Sequence, residues 1–486
     1  MTGAIQTEFD LVVRNGTVVL RDGPQQLDIG IRDGRIVALE AGLGGGRETY
    51  DAKGKVVLPG GVDSHCHMDQ QPWEGRTTSD DFQSGTLSAL CGGNTTVIPF
   101  AMQVKGNSIR AIVDDYHLRA APKAHIDYAF HMIVGDASET TLEEVKTLVD
   151  EGCTSIKIFL TYDGLKLDDY EALKIFELAR REGAMVMVHA ENDGCIRWLT
   201  EHLLRERKTQ LRYFEVARST ISDREATHRA ISLAELLETP ILIAHVASAA
   251  AVDEIRRARA RGLPVFAETC PQYLFLSSAD LDTKDLSGAK CICTPPPRHR
   301  SNQPEIWRGI LDGTLGVFSS DHSPLHYVEK IAAGPNAPFN RVPGGLPGLE
   351  TRLPLLFSGG VNTGRMTLQQ FAEVTATEPA RLYGLYPRKG VIAIGSDADL
   401  AIWDANREVT IKNDMLHHAT DHTPYEDMRV RGWPIVTISR GEVVWEDGVV
   451  KSRPGRGQFL PCDRPFVRLP LPSFEPISEF ECSAAE

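Results

Sequence analysis

Two histidines separated by one residue are the first feature of this sequence that could do chemistry. His65 and His67 flank Cys66 near the end of the run VVLPGGVDSHCH. If that run is a β-strand, its alternate residues point the same way, so both imidazoles can converge on one metal ion. A His-x-His pair alone is weak evidence, because packing and surface histidines are common. The pair therefore needs support from the rest of the chain.

Polar side chains recur at the ends of four later apolar runs, and they supply that support. Lys157 lies in TSIKIFL and Asp321 in GVFSSDHSP, where a charged group is costly to bury without a partner. His189 lies in MVMVHAE and His245 in ILIAHVA. Barrel enzymes carry their catalytic groups at this end of the strands. The set therefore predicts one polar centre rather than scattered core polar groups.

The elements that must position these residues are short apolar runs separated by helix-patterned stretches such as 142–151, 169–182 and 250–261. Strands of a parallel barrel are buried on both faces and read as continuous apolar runs. Eight such runs occur, the number that a (β/α)8 barrel requires: VVLPGGVDSHCH, TTVIPF, IDYAFHMIV, TSIKIFL, MVMVHAE, ILIAHVA, PVFAETC and GVFSSDHSP. The sequence therefore predicts an α/β fold with a TIM-like (β/α)8 barrel.

The two ends of the chain have a different pattern, with short alternating strands broken by turns. Asn15-Gly16 and Asp33-Gly34 lie between strand-like runs, and both dipeptides favour β-hairpin turns. A similar pattern returns in SDADLAIWD and WPIVTISRGEVVWEDGVV. We therefore predict a small β-sandwich domain built from residues 1–57 and 390–455, a metal-dependent barrel over 58–389, and a C-terminal arm over 456–486.

Composition limits the function classes further. The formal net charge of −14 argues against a nucleic-acid partner, which needs a basic surface. The sequence shows neither a secretory signal nor an apolar run of about 20 residues that could span a membrane. The nine cysteines are scattered, which is typical of buried thiols in a reducing compartment and predicts a cytoplasmic location.

Several motifs carry a resemblance to a known family. The segments GVDSHCHMD, SIKIFLTYDG, VHAEN, AHVAS, CTPPPR and SSDHSP are similar to those of the dihydropyrimidinase/hydantoinase family, a branch of the amidohydrolase superfamily. The resemblance extends over about residues 10–457. It implies a cyclic amidohydrolase that opens the amide or imide ring of hydantoins, dihydropyrimidines or related cyclic imides with water, giving N-carbamoyl or half-amide acids.

The resemblance also implies two divalent metal ions, expected to be Zn²⁺, with Mn²⁺ or Co²⁺ as alternatives. An ordinary lysine is a cation near neutral pH and cannot be a ligand. In the family this lysine is carboxylated, so Lys157 is expected to be N6-carboxylysine that bridges the metals. The ligands of the first metal would be His65, His67, Lys157 and Asp321, and those of the second Lys157, His189 and His245.

Further roles follow from the same resemblance. Asp321 would act as general base and then general acid, and Tyr162 would donate a hydrogen bond to the developing oxyanion. The backbone near Thr294 and Pro347 would bind the small cyclic ureide or imide. Trp73 would form an apolar wall of the substrate pocket. Pro347 stands where many relatives have asparagine, and it has no N–H to donate.

Two other functions stay open at this point. An allantoinase-like ureide hydrolase is close in sequence, although Tyr162 favours the hydantoinase side. A non-catalytic dihydropyrimidinase-like scaffold is the second alternative, although all six ligand positions are filled. A dihydroorotase is disfavoured, because no arginine follows His67 closely. Family relatives are commonly tetramers, so we predict a homotetramer that uses the arm from 454 to about 468.

Overall fold

The structure is a computed structural model and describes residues 9–70 and 76–465. Its strands are β1 Leu11–Leu20, β2 Gly23–Arg32, β3 Arg35–Glu40, β4 Glu48–Asp51, β5 Val56–Pro59, β6 Gly61–Cys66, β7 Asn94–Met102, β8 Asp127–Tyr128, β9 His131–Ile133, β10 Ser155–Phe159, β11 Met185–His189, β12 Ile241–Ile243, β13 Val265–Thr269, β14 Val317–Phe318, β15 Leu400–Thr410, β16 Arg429–Ser439, β17 Glu442–Glu446 and β18 Val449–Val450.

The α-helices are α1 Phe82–Cys91, α2 Ile109–Ala120, α3 Glu139–Asp150, α4 Asp169–Glu182, α5 Asp193–Arg205, α6 Tyr213–Ala217, α7 Thr220–Leu237, α8 Ala249–Ala260, α9 Gln272–Phe275, α10 Gln303–Leu311, α11 Tyr327–Lys330, α12 Arg352–Leu356, α13 Leu368–Ala372 and α14 Glu378–Leu382. Short 3₁₀ turns lie at Ser278–Leu281, Leu286–Cys291, Arg300–Asn302, Phe339–Arg341 and Asn413–Met415, and π turns at Phe357–Val361 and Glu373–Thr377.

A (β/α)8 barrel occupies the middle of the chain. Its strands pair in parallel in the order β6-β7-β9-β10-β11-β12-β13-β14, and β8 extends the third position beside β7. The first and last positions approach one another through a parallel bridge between Cys66 and His322 and a 2.6 Å hydrogen bond from His67 N to His322 O. All eight runs predicted as barrel strands contribute to it, so the predicted fold class is confirmed.

The barrel strands consist largely of apolar residues because both faces of each strand are covered by other parts of the chain. Every residue of β10 and β11 is buried, as expected for strands enclosed by helices. Helix α4, between them, begins with a capping box from Asp168 to Glu171 and ends at Gly183 in the left-handed conformation (φ 71°), two standard end signals. Its buried face, which includes Ile175 and Phe176, packs into the main core.

A second sheet joins the two ends of the chain. Its strands run in the order β18-β17-β16-β15-β5-β1-β2-β3, with β4 also beside β1. The N-terminal and C-terminal parts meet where β5 pairs antiparallel with β15, for example Val57 with Ile402. The run VVLPGGVDSHCH is therefore divided: β5 belongs to this sheet, and β6 starts the barrel after Gly60. The prediction of a β-sandwich domain built from both termini is confirmed, while its exact boundaries stay a prediction.

One of the two expected hairpin turns was wrong. Asp33 and Gly34, with φ 50° and 73°, do form the turn between β2 and β3. Asn15-Gly16 instead lies inside β1, where the register with β2 shifts in a bulge. Asn15 adopts the left-handed conformation there (φ 58°) because its backbone N–H donates to Asp28 and its amide donates to Asp51. The bulge at this position is therefore determined by these long-range hydrogen bonds and not by the turn propensity of Asn-Gly.

The described part of the C-terminal segment packs on its own barrel. Tyr128 N donates to Gln458 O at 3.0 Å, and Leu460 N donates to Tyr128 O at 2.7 Å. The ring of Phe459 lies 4.4 Å from that of His117, and Leu460 is fully buried. Residues up to 465 are thus held within the subunit.

Two features predicted from composition can be compared with the described residues. Within 9–70 and 76–465, no helix is long and apolar enough to cross a membrane. The eight cysteines in these ranges are all free thiols, and all but Cys195 are buried.

Candidate metal centre and active site

The strand ends bring the predicted ligands to one place at the carboxyl end of the barrel. His65 lies on β6 with His67 just beyond it, and Lys157 lies within β10. The other three follow or end their strands, with His189 at the end of β11, His245 two residues after β12, and Asp321 three residues after β14. A metal centre here therefore draws on five different strands.

The first group of ligating atoms is compact. His65 Nε2 lies 3.2 Å from Asp321 Oδ1, and His67 Nε2 lies 3.6 Å from the same oxygen. One ligand atom from each of these three residues lies within 4.8 Å of the other two. His67 is fixed by stacking on Phe100, with ring centroids 4.9 Å apart. Two imidazoles and a carboxylate in this arrangement suit a divalent ion such as Zn²⁺.

The second group of predicted ligands contains His189 and His245, whose rings lie next to one another at the barrel mouth. The ring of His245 lies 5.3 Å from His65 and 4.5 Å from His189. His189 stacks on Phe159 at 5.2 Å. Burial lowers the pKa of His65, His189 and His245, which favours the neutral form of their rings. Neutral imidazole is the form that binds metal.

Lys157 lies between the two groups, and its amine makes no hydrogen bond to any described residue. Its side chain is 1% exposed. The rings of Phe100 and Phe159 have centroids 5.2 and 5.5 Å from Nζ, and Glu268 and Asp321 interact with the amine electrostatically. Burial lowers the pKa of the Lys157 amine to about 8. His245 Nδ1 is likewise buried and unpartnered, so the donor set fits metal ions that would satisfy these atoms.

Two carboxylates that the sequence reasoning missed support these ligands. Glu268 on β13 forms a hydrogen bond with His65 Nδ1, and it is fully buried. Glu191 lies 2.8 Å from His189 Nε2 and pairs with Arg218 at 2.6 Å. Glu268 falls inside the apolar run PVFAETC, so the rule that singled out Lys157 could have found it. Arg218 lies in no strand run, and no local signal marks it.

The backbone is strained at three of the predicted site residues. Tyr162, His245 and Asp321 have positive φ angles of 77°, 37° and 48°. This left-handed region is uncommon for residues other than glycine, asparagine and aspartate, and such strain clusters at functional sites. Here it turns each side chain toward the barrel mouth, where all three line one cavity.

That cavity has a volume of about 440 Å³, enough for a small ring compound. Tyr162 lies on one side, where its hydroxyl donates to Thr294 Oγ1 at 2.5 Å, and burial raises the pKa of Tyr162 to about 12. Gly344 and Gly345 line the cavity, whereas Pro347 is not among the described lining residues. Trp73 lies outside the described residues.

The neighbouring histidines of Asp321 play other parts. His322 Nε2 lies 3.0 Å from Asp80 Oδ2, and Gly348 N donates to His322 Nδ1 at 3.0 Å. Both ring nitrogens are thus engaged away from the metal ligands. His326 is about half exposed and lies 3.9 Å from Asp421.

The barrel and the polar centre at its mouth define the class. The sequence pattern of the Amidohydrolase family matches residues 56–444 of this chain. The chain belongs to the amidohydrolase family, which is binuclear and metal-dependent. Within it, the chain is a cyclic amidohydrolase of the hydantoinase and dihydropyrimidinase group.

Three relatives carry this narrower placement. The D-hydantoinase of Rhizobium radiobacter is 39% identical over 452 residues, which cover 93% of this chain and 98% of that protein. The D-hydantoinase of Streptomyces coelicolor is 40% identical, with 93% and 97% covered. The crystal structure of the dihydropyrimidinase from Brevibacillus agri superposes with a TM-score of 0.91 at 38% identity, covering 94% of this chain and 99% of that one.

Proposed function

We propose that this chain opens the ring of hydantoins, dihydropyrimidines or related cyclic imides by hydrolysis at a two-metal centre. The observation that carries the proposal is the buried Lys157, whose amine makes no hydrogen bond to any described residue, beside the group His65, His67 and Asp321 and the paired rings of His189 and His245. A buried amine without any hydrogen bond is costly. Conversion to a carbamate that bridges two cations would remove that cost.

The residues that would hold the metals are those predicted from the sequence, and Zn²⁺ is the proposed ion, with Mn²⁺ or Co²⁺ as alternatives. When bound, such ions polarise the ring carbonyl and lower the pKa of a water molecule to about 7. His65, His67, Lys157 and Asp321 would form the first site, and Lys157, His189 and His245 the second. The same set argues against a non-catalytic scaffold, since a scaffold needs none of these ligands.

Two residues of the chain would handle protons and charge. Asp321 faces the cavity within 3.2 Å of His65 Nε2, and its carboxylate would take a proton from water and return it to the departing ring nitrogen. Tyr162 stays protonated because burial raises its pKa to about 12. Its hydroxyl, which donates to Thr294 here, would turn toward an oxyanion at the ring carbonyl.

The cavity also bears on the substrate. Its lining includes apolar side chains from several elements, among them Phe159, Leu165, Ile196 and Phe214. A flat or bulky ring substituent would bury apolar area there, at roughly 25 cal/mol per Å². We therefore propose small cyclic ureides with an aromatic or bulky 5-substituent, with Trp73 as a further apolar wall. An allantoinase-like activity lacks a specific observation in its favour.

The experiment that tests the proposal combines metal removal with one substitution. Chelation should abolish hydrolysis of a 5-substituted hydantoin, and adding Zn²⁺, Mn²⁺ or Co²⁺ should restore it. Asp321→Asn should keep the fold and at least one metal ion and lose about 10²–10⁴-fold in turnover, because the proton carrier is gone. Full activity in rigorously metal-free protein would refute the two-metal centre.

We further propose a homotetramer and a cytoplasmic location. The arm from 454 to about 468 would contribute to the contacts between subunits. Truncation after Gly457 should therefore lower the number of subunits that light scattering gives. An unchanged mass would show that this segment does not hold the assembly together.

A further inference from the structure

Lys330, at the end of α11, is a buried lysine whose ammonium group binds only backbone carbonyls. The side chain is 0% exposed. Its Nζ donates to Ile292 O at 3.0 Å, to Pro343 O at 3.1 Å and to Gly345 O at 2.6 Å. All three hydrogens of the ammonium group are thereby used. The carbonyls come from two segments that are about 50 residues apart in sequence.

No carboxylate compensates this charge within the described residues, whose ion pairs do not include Lys330. The titratable groups that interact with it include the thiols of Cys291 and Cys293 and the ring of His422, and burial lowers the pKa of the Lys330 amine to about 8. A buried cation without a counter-ion is stable only if its hydrogen bonds are well made. The positions of the three carbonyls are therefore coupled to the ammonium group.

Both segments that Lys330 joins border the cavity at the barrel mouth. Cys293 and Thr294 follow Ile292, Gly344 lies between the two carbonyls at 343 and 345, and all of them line the cavity. The segments also touch one another directly. Gly345 N donates to Ile292 O at 3.0 Å, and a Cβ built on Gly344 would lie 3.3 Å from Thr294 Cγ2.

Thr294 connects this pair of segments to the proposed chemistry. Its Oγ1 accepts the hydrogen bond of the Tyr162 hydroxyl. A shift of the 292–294 segment would therefore move the point toward which Tyr162 is directed. Displacements on the order of 1 Å at such contacts are enough to lose about 100-fold in rate.

We propose that Lys330 is a positioning residue that sets the spacing of the 292–294 and 343–345 segments, and through it the ring size that the cavity accepts. The inference rests on the proposed function, because it assumes that a cyclic substrate lies between these segments and the metal centre. Lys330 itself does not reach the cavity. Its effect is exerted through the carbonyls that it binds.

The test compares Lys330→Met, which keeps the length of the side chain and removes its donors, with the wild type on two rings. Hydantoin has five ring atoms and dihydrouracil has six. Lys330→Met should keep its metal content, raise KM at least tenfold for one ring, and also lower kcat, because the contact that directs Tyr162 is displaced. The ratio of kcat/KM between the two rings should change at least fivefold. Lys330→Gln keeps two donor hydrogens, so its KM and its ratio of kcat/KM between the two rings should lie between those of the wild type and those of Lys330→Met.

Lys389→Met is the matched control. Lys389 is also a buried lysine, 1% exposed, but its Nζ pairs with Asp127 and Asp399 at 2.7 Å, away from the cavity. Its loss should lower the thermal midpoint without changing the ring preference. If Lys330→Met and Lys330→Gln lower the midpoint but keep the wild-type KM and ring ratio, Lys330 has only a structural role. If the wild type itself opens neither ring, the proposed function fails instead.

Discussion

His65 is held between two carboxylates on opposite sides of its ring. Its Nδ1 forms a hydrogen bond with Glu268, and its Nε2 faces Asp321 Oδ1 at 3.2 Å. In the tautomer that carries its proton on Nδ1, the lone pair of Nε2 is directed into the proposed metal centre. A ligand prepared in this way binds a metal ion without first reorienting.

Glu268→Gln tests this relationship. The amide cannot accept the Nδ1 proton as strongly, so we expect metal affinity to fall about 10–100-fold. A competition titration with a fluorescent chelator measures the affinity, and circular dichroism checks the fold. Glu254→Gln is the matched control, since Glu254 pairs with the exposed His228 at 3.2 Å. Equal affinity in Glu268→Gln and Glu254→Gln would contradict the assigned role.

Lys157→Ala tests the proposed bridging ligand. Removal of the side chain should weaken metal binding and inactivate the enzyme, and a short carboxylic acid should restore part of the activity by standing in for the carbamate. Intact-protein mass spectrometry under mild conditions should show the added mass of one CO₂ in the wild type and not in the variant. Lys166→Ala, at a lysine paired with Asp163 and Asp193, is the control. A fully active, metal-loaded wild type with a free Lys157 amine would refute the assignment.

The substrate preference can be tested with three rings. We expect kcat/KM to be higher for phenylhydantoin than for dihydrouracil, because the aromatic substituent buries apolar area against Ile196 and Phe214. Phthalimide serves as the imide without a ureide nitrogen. Trp73→Ala and Ile196→Ala should each reduce the advantage of phenylhydantoin. A wide margin in favour of dihydrouracil, unchanged by both substitutions, would show that the proposed apolar wall is wrong.

His422 gives a prediction for the pH dependence of stability. It is 2% exposed, and burial lowers its pKa from 6.5 to about 4. Between these values the unfolded chain binds the proton and the folded chain does not, so stability falls as pH decreases from 6.5 toward 4. His422→Gln should remove this contribution, roughly 1–2 kcal/mol between pH 6.5 and 5. Its thermal midpoint should therefore drop less than that of the wild type over this range, and an equal drop would contradict the prediction.

The residues that could be singled out from the sequence are those whose signal lies within one short stretch of the chain. The continuous apolar runs predicted barrel strands because full burial leaves no alternation, and a lysine or aspartate inside such a run is visible from its cost alone. Lys157 and Asp321 were predicted as ligands in this way, and their role as ligands stays a prediction. Glu268 obeyed the same rule in PVFAETC, but its partner His65 lies about 200 residues away.

The features that only the tertiary structure decided depend on partners distant in the chain. Asn15-Gly16 has the composition of a turn, yet Asp28 and Asp51 hold it as a bulge inside a strand. Likewise, Gly344 and Gly345 line the cavity in the folded chain, whereas Pro347 is not among the described lining residues. Lys330 resembles an ordinary surface lysine in sequence, and only the folded chain gathers three carbonyls around it. Local periodicity thus determined the barrel and the strand ends that carry the proposed ligands, whereas the loops and supporting charges were decided by contacts that exist only after the strands close.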